Sequence, residues 1–467
     1  MTAAIAAFRP PSPPPFDAAG GPSPFRAIRY FRTFARNPLE TWTDEVFEKP
    51  IAQAGLAIRR VLVVSDPESI RKIFSTGAHN YPMTRVRQRI LKPALGEGLL
   101  TTEGEAWSRA RKSLNAVFTP RHVSGFAATM LRNAEALRDD LRARDGETVG
   151  VAPLMTRFAL DVLADSLSAD RTMLDREQFA DRLSRLMSVA GVPHLFDLVG
   201  LPGFVPRFGR AASTALIGEL KASFRALAAK ARETRGGGEH EARDFMDLLL
   251  DARDDGAPAF AEDEIVDHLL TFFAAGHETT ARSLAWTLYL LSEAPDIRAR
   301  LEAEIDAAPL NETPPERWMD VLPFTMAVVR ESMRLYPPAP FLARQAAADD
   351  EIGGAPVKAG SVVVVVPWIL HRHRAIWPHA DEFRPDRFVG DAAGGAPKYA
   401  YIPFGLGPRV CIGASFSLQE MAIALGVLLR DLKFEPAGAT PPMPLMRVTL
   451  QPSTDVPLKV SLRRCDA

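Results

Sequence analysis

Phe404-Gly405-Leu406-Gly407-Pro408-Arg409-Val410-Cys411-Ile412-Gly413 sets one of the chain's two cysteines in a loop of glycines, an aromatic residue and an arginine. Glycines let a backbone turn tightly, while free N–H groups at a helix start and the Arg409 charge favour a thiolate over a thiol. Residues Ala414 to Leu425 follow with apolar side chains recurring at three and four, the mark of a helix. A free cysteine is usually a small buried hydrophobe, but these neighbours suit a metal-ligating thiolate. Zinc and iron–sulfur sites recruit several cysteines or histidines at close spacing, and Cys465 lies almost at the end of the chain, where it reads as an exposed bystander.

A second informative stretch runs from Ile265 to Trp286 and contains Ala274-Ala275-Gly276-His277-Glu278-Thr279-Thr280. Phe272, Gly276, Thr279 and Ser283 fall on one helical face that is small at its centre. A mid-helix glycine costs about 1 kcal/mol relative to alanine, so a flat group pressing on Ala275 and Gly276 explains it better than packing does. Adjacent helical residues point about 100° apart, so Glu278 and Thr279 cannot both face one centre, and one must act through water. The plainer alternative is a solvated Glu278 and a Thr279 hydroxyl bonded back to its own helix. His277-Glu278-Thr279-Thr280-Ala281 starts like a zinc-protease motif but lacks its second histidine.

In Arg330-Glu331-Ser332-Met333-Arg334-Leu335-Tyr336-Pro337, Glu331 and Arg334 can pair on one face of a helix that ends before Pro337. The same spacing in Glu68/Arg71 and Glu135/Arg138 reads as ordinary exposed pairs. Trp107 and Arg111 stand four apart on another helix, either as a binding pair or as a tryptophan shielding an arginine stem. His371-Arg372-His373-Arg374 reads as a polar turn rather than a metal patch.

Taken in order, these segments resemble the haem-thiolate monooxygenases, the cytochromes P-450. The cysteine loop matches Phe-x-x-Gly-x-Arg-x-Cys-x-Gly at all five fixed positions, from Phe404 to Gly413. The resemblance covers roughly residues 38–460. It implies a mainly α fold with a small β portion and one haem b whose iron takes Cys411 as axial ligand. It further implies that Ala275 and Gly276 lie on the haem, that Thr279 and Glu278 are the alcohol and acid of a proton relay, and that Trp107, Arg111, Arg344 and Arg409 bind propionates. Arg387, in Phe383-Arg384-Pro385-Asp386-Arg387-Phe388, would complete a buried Glu331–Arg334–Arg387 cluster that fixes the cysteine loop. Phe272, Ala339, Pro340 and Phe341 are implied pocket residues.

The activity implied is insertion of one oxygen atom from O2 into a hydrophobic fatty acid, terpenoid, steroid or aromatic; residues 98–107 lean towards fatty-acid hydroxylases. With no flavin or ferredoxin domain after Ala467, electrons from NAD(P)H are expected through a separate ferredoxin and its reductase, or a flavodoxin-type donor. Arg109, Lys112, Arg372, Arg374 and Lys398 are candidates for a basic docking face. A peroxide-using or rearranging enzyme, and a haem carrier or sensor without catalysis, are the competing functions.

Composition agrees with one large domain over residues 26–467 behind a disordered, proline-rich tail over 1–25. At 47% hydrophobic residues and a net charge of −1 there is no case for nucleic acid, and no apolar stretch is long enough to span a membrane. Two cysteines suit a reducing, cytoplasmic setting. Residues 81–100, without a glycine before Gly96, are expected to lie over the haem, and residues 192–204 form either an entrance lid or a packed surface loop.

Overall fold

Valines at 362–365 and helical periodicity through most of the chain divide the molecule into a small sheet and a large helical body. A computed structural model describes residues 8–17, 24–56, 59–167, 182, 185, 210–235, 244–390 and 394–463. Its helices used below are α1 (Pro24–Arg36), α2 (Arg85–Leu95), α3 (Gly104–Val117), α4 (Ala127–Arg142), α5 (Val151–Leu167), α6 (Arg210–Arg235), α7 (Glu262–Glu293), α8 (Pro323–Leu335) and α9 (Ala414–Asp431). The strands are β1 (Ile51–Leu56), β2 (Arg59–Val64), β3 (Thr148–Gly150), β4 (Leu342–Gln345), β5 (Val362–Val365), β6 (Leu432–Pro436), β7 (Pro444–Met446), β8 (Leu450–Pro452) and β9 (Pro457–Leu462).

The main sheet runs β1-β2-β5-β4, with β2 and β5 parallel and the outer pairs antiparallel. Its valine-only centre is covered on both faces, as an unbroken apolar strand requires. A second sheet runs β6-β9-β3, and β7 and β8 form a hairpin. The turn of that hairpin, between Met446 and Leu450, is closed by Arg447 N–H on the Thr449 carbonyl at 2.9 Å.

Helix α7 has 32 residues, about 48 Å at 1.5 Å per residue, and passes through the middle of the body against α5. Its first turn carries Glu262, Asp263 and Glu264, charges that suit a helix N-terminus. Three ion pairs tie this end to α6: Arg232–Glu262 at 2.6 Å, Arg225–Asp263 at 2.9 Å and Lys221–Asp267 at 2.6 Å. Asp267 also accepts the Glu97 N–H at 2.8 Å, so it holds the end of α2 against α7. A Cβ on Gly96, at φ +61°, would sit 2.1 Å from that carboxylate, which is why glycine closes the helix there.

The expected tail is packed over its described part. Residues 8–17 lie on the body: Phe383 N–H donates to the Phe8 carbonyl at 2.9 Å, Tyr336 Oη to the Pro11 carbonyl at 2.9 Å, and Phe16 N–H to the Trp42 carbonyl at 2.7 Å. Prolines remove backbone donors but leave carbonyls, and it is largely carbonyls that bind here. Residues 192–204 and Cys465 lie outside the described residues.

Candidate active site

The cysteine loop is built on two left-handed glycines, Gly405 at φ +76° and Gly407 at φ +73°. A Cβ on Gly407 would fall 1.7 Å from the Phe74 carbonyl oxygen, so no other residue fits. Cys411 N–H donates to the Phe404 carbonyl at 2.9 Å, and Gly413 ends the loop as the residue before α9. The Cys411 side chain is accessible, yet protein surrounds it on nearly every side: it opens into an interior recess. Burial raises its pKa, while the Gly413 N–H and the Arg111 charge act in the opposite direction. A metal cation bound at the sulfur would favour the thiolate over the thiol.

Arg409 does not supply the positive charge at the sulfur. It turns to Glu103, at 2.6 Å, and to the Thr102 carbonyl, at 2.8 Å, with its guanidinium 4.3 Å from the Trp107 ring centre. Arg111 is the cation that reaches Cys411. Around Glu103 gathers a crowd of arginines: Arg409, Arg344 and Arg87. Arg344 is buried, and burial together with Arg87 and Arg409 pushes its pKa down to about 10. Cations crowded around one carboxylate form an anion receptor. Arg87 and Glu103 had no motif to mark them; only the fold brings them together.

On the facing side, α7 from Ile265 to Ser292 is buried at every residue except Phe272, Ala274, Ala275, Gly276, Thr279 and Arg282. All but Ala274 share one face, which is therefore open in a helix otherwise enclosed. Thr280 Oγ1 lies 3.2 Å from Ser417 Oγ in the first turn of α9, so this stretch is bound directly to the helix that Gly413 starts. Thr279 Oγ1 donates to the Ala275 carbonyl at 2.8 Å, the back-bonded state anticipated as an alternative, leaving its lone pairs to accept a hydrogen bond. Glu278 is not a solvated residue. It is buried, with Oε1 3.5 Å from Arg282 and Oε2 without a partner among the described residues.

Behind the cysteine loop the Glu331–Arg334–Arg387 cluster is present. Both partners of the central pair are fully buried, with Arg334 Nε–Glu331 Oε2 at 2.7 Å and Arg334 Nη2–Glu331 Oε1 at 2.9 Å. Arg334 also donates to the carbonyls of His371, Ala380 and Glu382, so all five of its N–H groups are used. Glu331 accepts in addition from Arg384 N–H at 2.8 Å and Arg387 Nε at 3.2 Å. His371 passes this order on, since its Nε2 accepts the Ile402 N–H at 3.0 Å, two residues before Phe404. Of the two similar pairs, Glu68–Arg71 is exposed at 2.7 Å, whereas Arg138 bonds Asp139 rather than Glu135.

The four-residue run 371–374 is a turn, as expected, but a buried one up to His373. Arg372 stacks 3.6 Å from the Trp368 ring centre, and no metal-binding cluster occurs among the described residues. This removes Arg372 from the proposed basic docking face. Arg374 is held by Asp44 at 2.5 Å and Glu48 at 2.7 Å, Lys112 by Asp254 at 3.0 Å, and Arg109 by Glu264. Of the pocket candidates, Ala339 and Phe341 are partly open, Pro340 is buried, and Phe272 packs edge-on to Phe118 at 5.2 Å. A separate surface cleft of about 410 Å3 beside Trp318 and Arg430 contains none of these residues.

The residues fit a haem: a cysteine that is accessible though surrounded by protein, a face of α7 less buried than the rest of that helix, and arginines gathered around Glu103. The comparisons agree. The family model for cytochrome P450 matches residues 21–459. Probable cytochrome P450 4s3 of Drosophila melanogaster is 29% identical over 90% of this chain and 87% of that protein. Protein LUTEIN DEFICIENT 5, chloroplastic, of Arabidopsis thaliana is 31% identical over 82% of this chain and 67% of that one. The crystal structure of the cytochrome P450DA heme domain superposes with a TM-score of 0.79 at 27% identity, covering 98% of both chains. With signature, fold and comparisons in agreement, the chain is a member of the cytochrome P450 family.

Proposed function

We propose that the open face of α7 and Cys411 would enclose the haem of a monooxygenase for a hydrophobic substrate, with Cys411 the residue that would bind its iron and with Arg344 and Arg409, beside Trp107 and Arg111, those that would hold its propionates. Oxygen activation and insertion into a C–H or C=C bond are the chemistry supplied by haem b, with O2 and electrons from NAD(P)H delivered through redox partners. The observation that carries the reading is the pairing of a buried Glu278, with one carboxylate oxygen unpartnered, and a Thr279 hydroxyl on the open face. By rotating its hydroxyl away from the Ala275 carbonyl, Thr279 can donate into the site and hold a water there. Glu278, one step round the helix, can exchange a proton with that water and with groups beside Arg282. Glu331, Arg334 and Arg387 act at a distance, by holding the polypeptide around Ile402 and Phe404 in one geometry.

Phe272, Ala339 and Phe341 offer apolar surface and support a fatty acid, terpenoid, steroid or aromatic substrate. The low cysteine content supports a cytoplasmic setting, and no described helix is long and apolar enough to cross a membrane. Electron donation by a ferredoxin stands without the basic face, since four of its five candidate residues are paired or buried. The test is product formation. Turnover with NAD(P)H, ferredoxin, reductase and O2, and not with hydrogen peroxide, supports the reading. Turnover with peroxide alone gives the site to a peroxide-using enzyme, and haem binding without any product gives it to a carrier or sensor.

A further inference from the structure

Asp267, Thr271, Glu278 and Arg282 follow one another along α7 at steps of four, seven and four, which places them on one side of the helix. Thr271 is 3% and Glu278 8% exposed, yet Thr271 Oγ1, Glu278 Oε2 and Arg282 Nε have no hydrogen-bond partner among the described residues. A buried polar atom left without a protein partner is costly unless water satisfies it. Between Thr271 and Glu278 this side of the helix carries only Ala274 and Ala275, both small and only partly buried. Ala274 is the less-buried residue that lies off the open face, and water along this side accounts for it. Thr271 and Glu278 stand about 10 Å apart at 1.5 Å per residue, a gap that about three waters bridge at hydrogen-bond spacing. A Cβ on Gly98 would lie 2.1 Å from Thr271 Oγ1, so glycine keeps that hydroxyl clear. At the outer end Lys221 of α6 reaches Asp267 at 2.6 Å, with 22% of its side chain exposed to solvent.

We propose that this side of α7 holds a file of water through which protons enter from the α6 surface, past Lys221 and Asp267 and along Thr271 to Glu278. The inference rests on the relay reading of Glu278 and Thr279 and adds the source of their protons. In each transfer Asp267 takes a proton from solvent beside Lys221 and gives one to the first water. Thr271 Oγ1 accepts from the water before it and donates to the water after it. Glu278 receives a proton at Oε2 and releases one to the water held by Thr279, so one proton arrives for each that leaves and no electrons move. Asp267 and Thr271 touch neither substrate nor cofactor; they are positioning residues that hold the waters in line.

The experiment reads water and peroxide. Crystals of the full-length, haem-loaded protein should show ordered waters from Thr271 past Ala274 to Glu278, and those of Thr271→Val should lack the waters nearest residue 271. Hydrogen peroxide released per NAD(P)H consumed, with dodecanoic acid as probe substrate and without it, should rise about threefold in Thr271→Val and in Asp267→Asn. The rise is smaller than in Thr279→Ala because water also reaches Glu278 from the open face. Asp267→Asn keeps the acceptor for the Glu97 N–H. Thr271→Ser, which retains the hydroxyl, should return the yield to that of the wild type. Arg225→Met, which breaks the neighbouring Arg225–Asp263 pair between α6 and α7, should leave it unchanged. An unaltered reduced carbonyl spectrum shows that each variant has folded. A wild type without ordered water between Thr271 and Glu278, or a Thr271→Val variant with the wild-type peroxide yield, overturns the route. If Thr279→Ala raises the yield and Thr271→Val does not, the route alone falls; if neither raises it, the relay reading falls with it.

Discussion

The two sides of the cysteine loop are finished to different standards. Behind the loop, Arg334 spends all five donors on buried partners, and Glu331 receives from Arg334, Arg384 and Arg387. Across the recess, the turn of α7 from Ala275 to Thr279 is held by a back-bonded hydroxyl, and Glu278 keeps an oxygen unpartnered. A fully satisfied buried network has one geometry, whereas a hydroxyl with a second rotamer and a carboxylate with a spare oxygen have several. The first side is built to stay fixed, the second to exchange partners during a reaction.

The harshest way to break this contrast is at the ligand that lies between the two sides. Cys411→Ser should lose the thiolate-type reduced carbonyl spectrum and all oxygenation, because a neutral hydroxyl cannot replace thiolate donation. An unaltered spectrum and rate would remove Cys411 from the centre of the comparison.

Next come the two glutamates, one from each side. Glu331→Gln leaves Arg334 buried without its counter-charge and should cost about 3–5 kcal/mol in urea unfolding, with loss of haem on purification. Glu278→Gln should cost about 1 kcal/mol or less, since its carboxylate is already short of a partner, yet slow turnover. Equal destabilisation by the two would erase the difference between the sides. Thr279→Ala should keep haem and substrate binding but cut the product formed per NAD(P)H consumed, by roughly tenfold or more, with hydrogen peroxide released instead. Full coupling in that variant would leave Thr279 a structural hydroxyl.

Legibility in the sequence followed range. The cysteine loop, the α7 face and the Glu331–Arg334 pair lie within single turns or loops, so spacing alone exposed them. Arg87, Glu103 and Arg409 come from three segments, and what joins them is the packing of α2 and the start of α3 against the cysteine loop. His371 and Ile402 are 31 residues apart and show no shared pattern. Charge read from sequence misled at the proposed basic face, because the acidic partners Asp44, Glu48, Asp254 and Glu264 lie far from their cations along the chain. Proline content misled at residues 8–17, where the carbonyls and the rings of Phe8 and Phe16 find places on the body.

A dependence of stability on pH sharpens the fixed side of the comparison. Burial and the charges of Arg334 and Arg372 push the His371 pKa down to about 3, so the folded protein keeps this imidazole neutral. In the unfolded chain it titrates near its ordinary value of about 6.5, so the unfolded state binds more protons and stability falls as pH drops from there towards 3. At pH 5 the loss amounts to about 2 kcal/mol relative to pH 7, at about 1.4 kcal/mol per pH unit below the unfolded pKa. The buried His268, pushed down to about 4, adds a parallel loss of its own. His371→Gln keeps an acceptor within reach of the Ile402 N–H but cannot be protonated. It should therefore be somewhat less stable than the wild type at pH 7 and lose less than it does between pH 7 and 5, as read by urea unfolding at the two pH values. Identical losses in both proteins would mean that His371 is protonated without cost in the fold, and that the backing of the cysteine loop is less tightly set than its hydrogen bonds suggest.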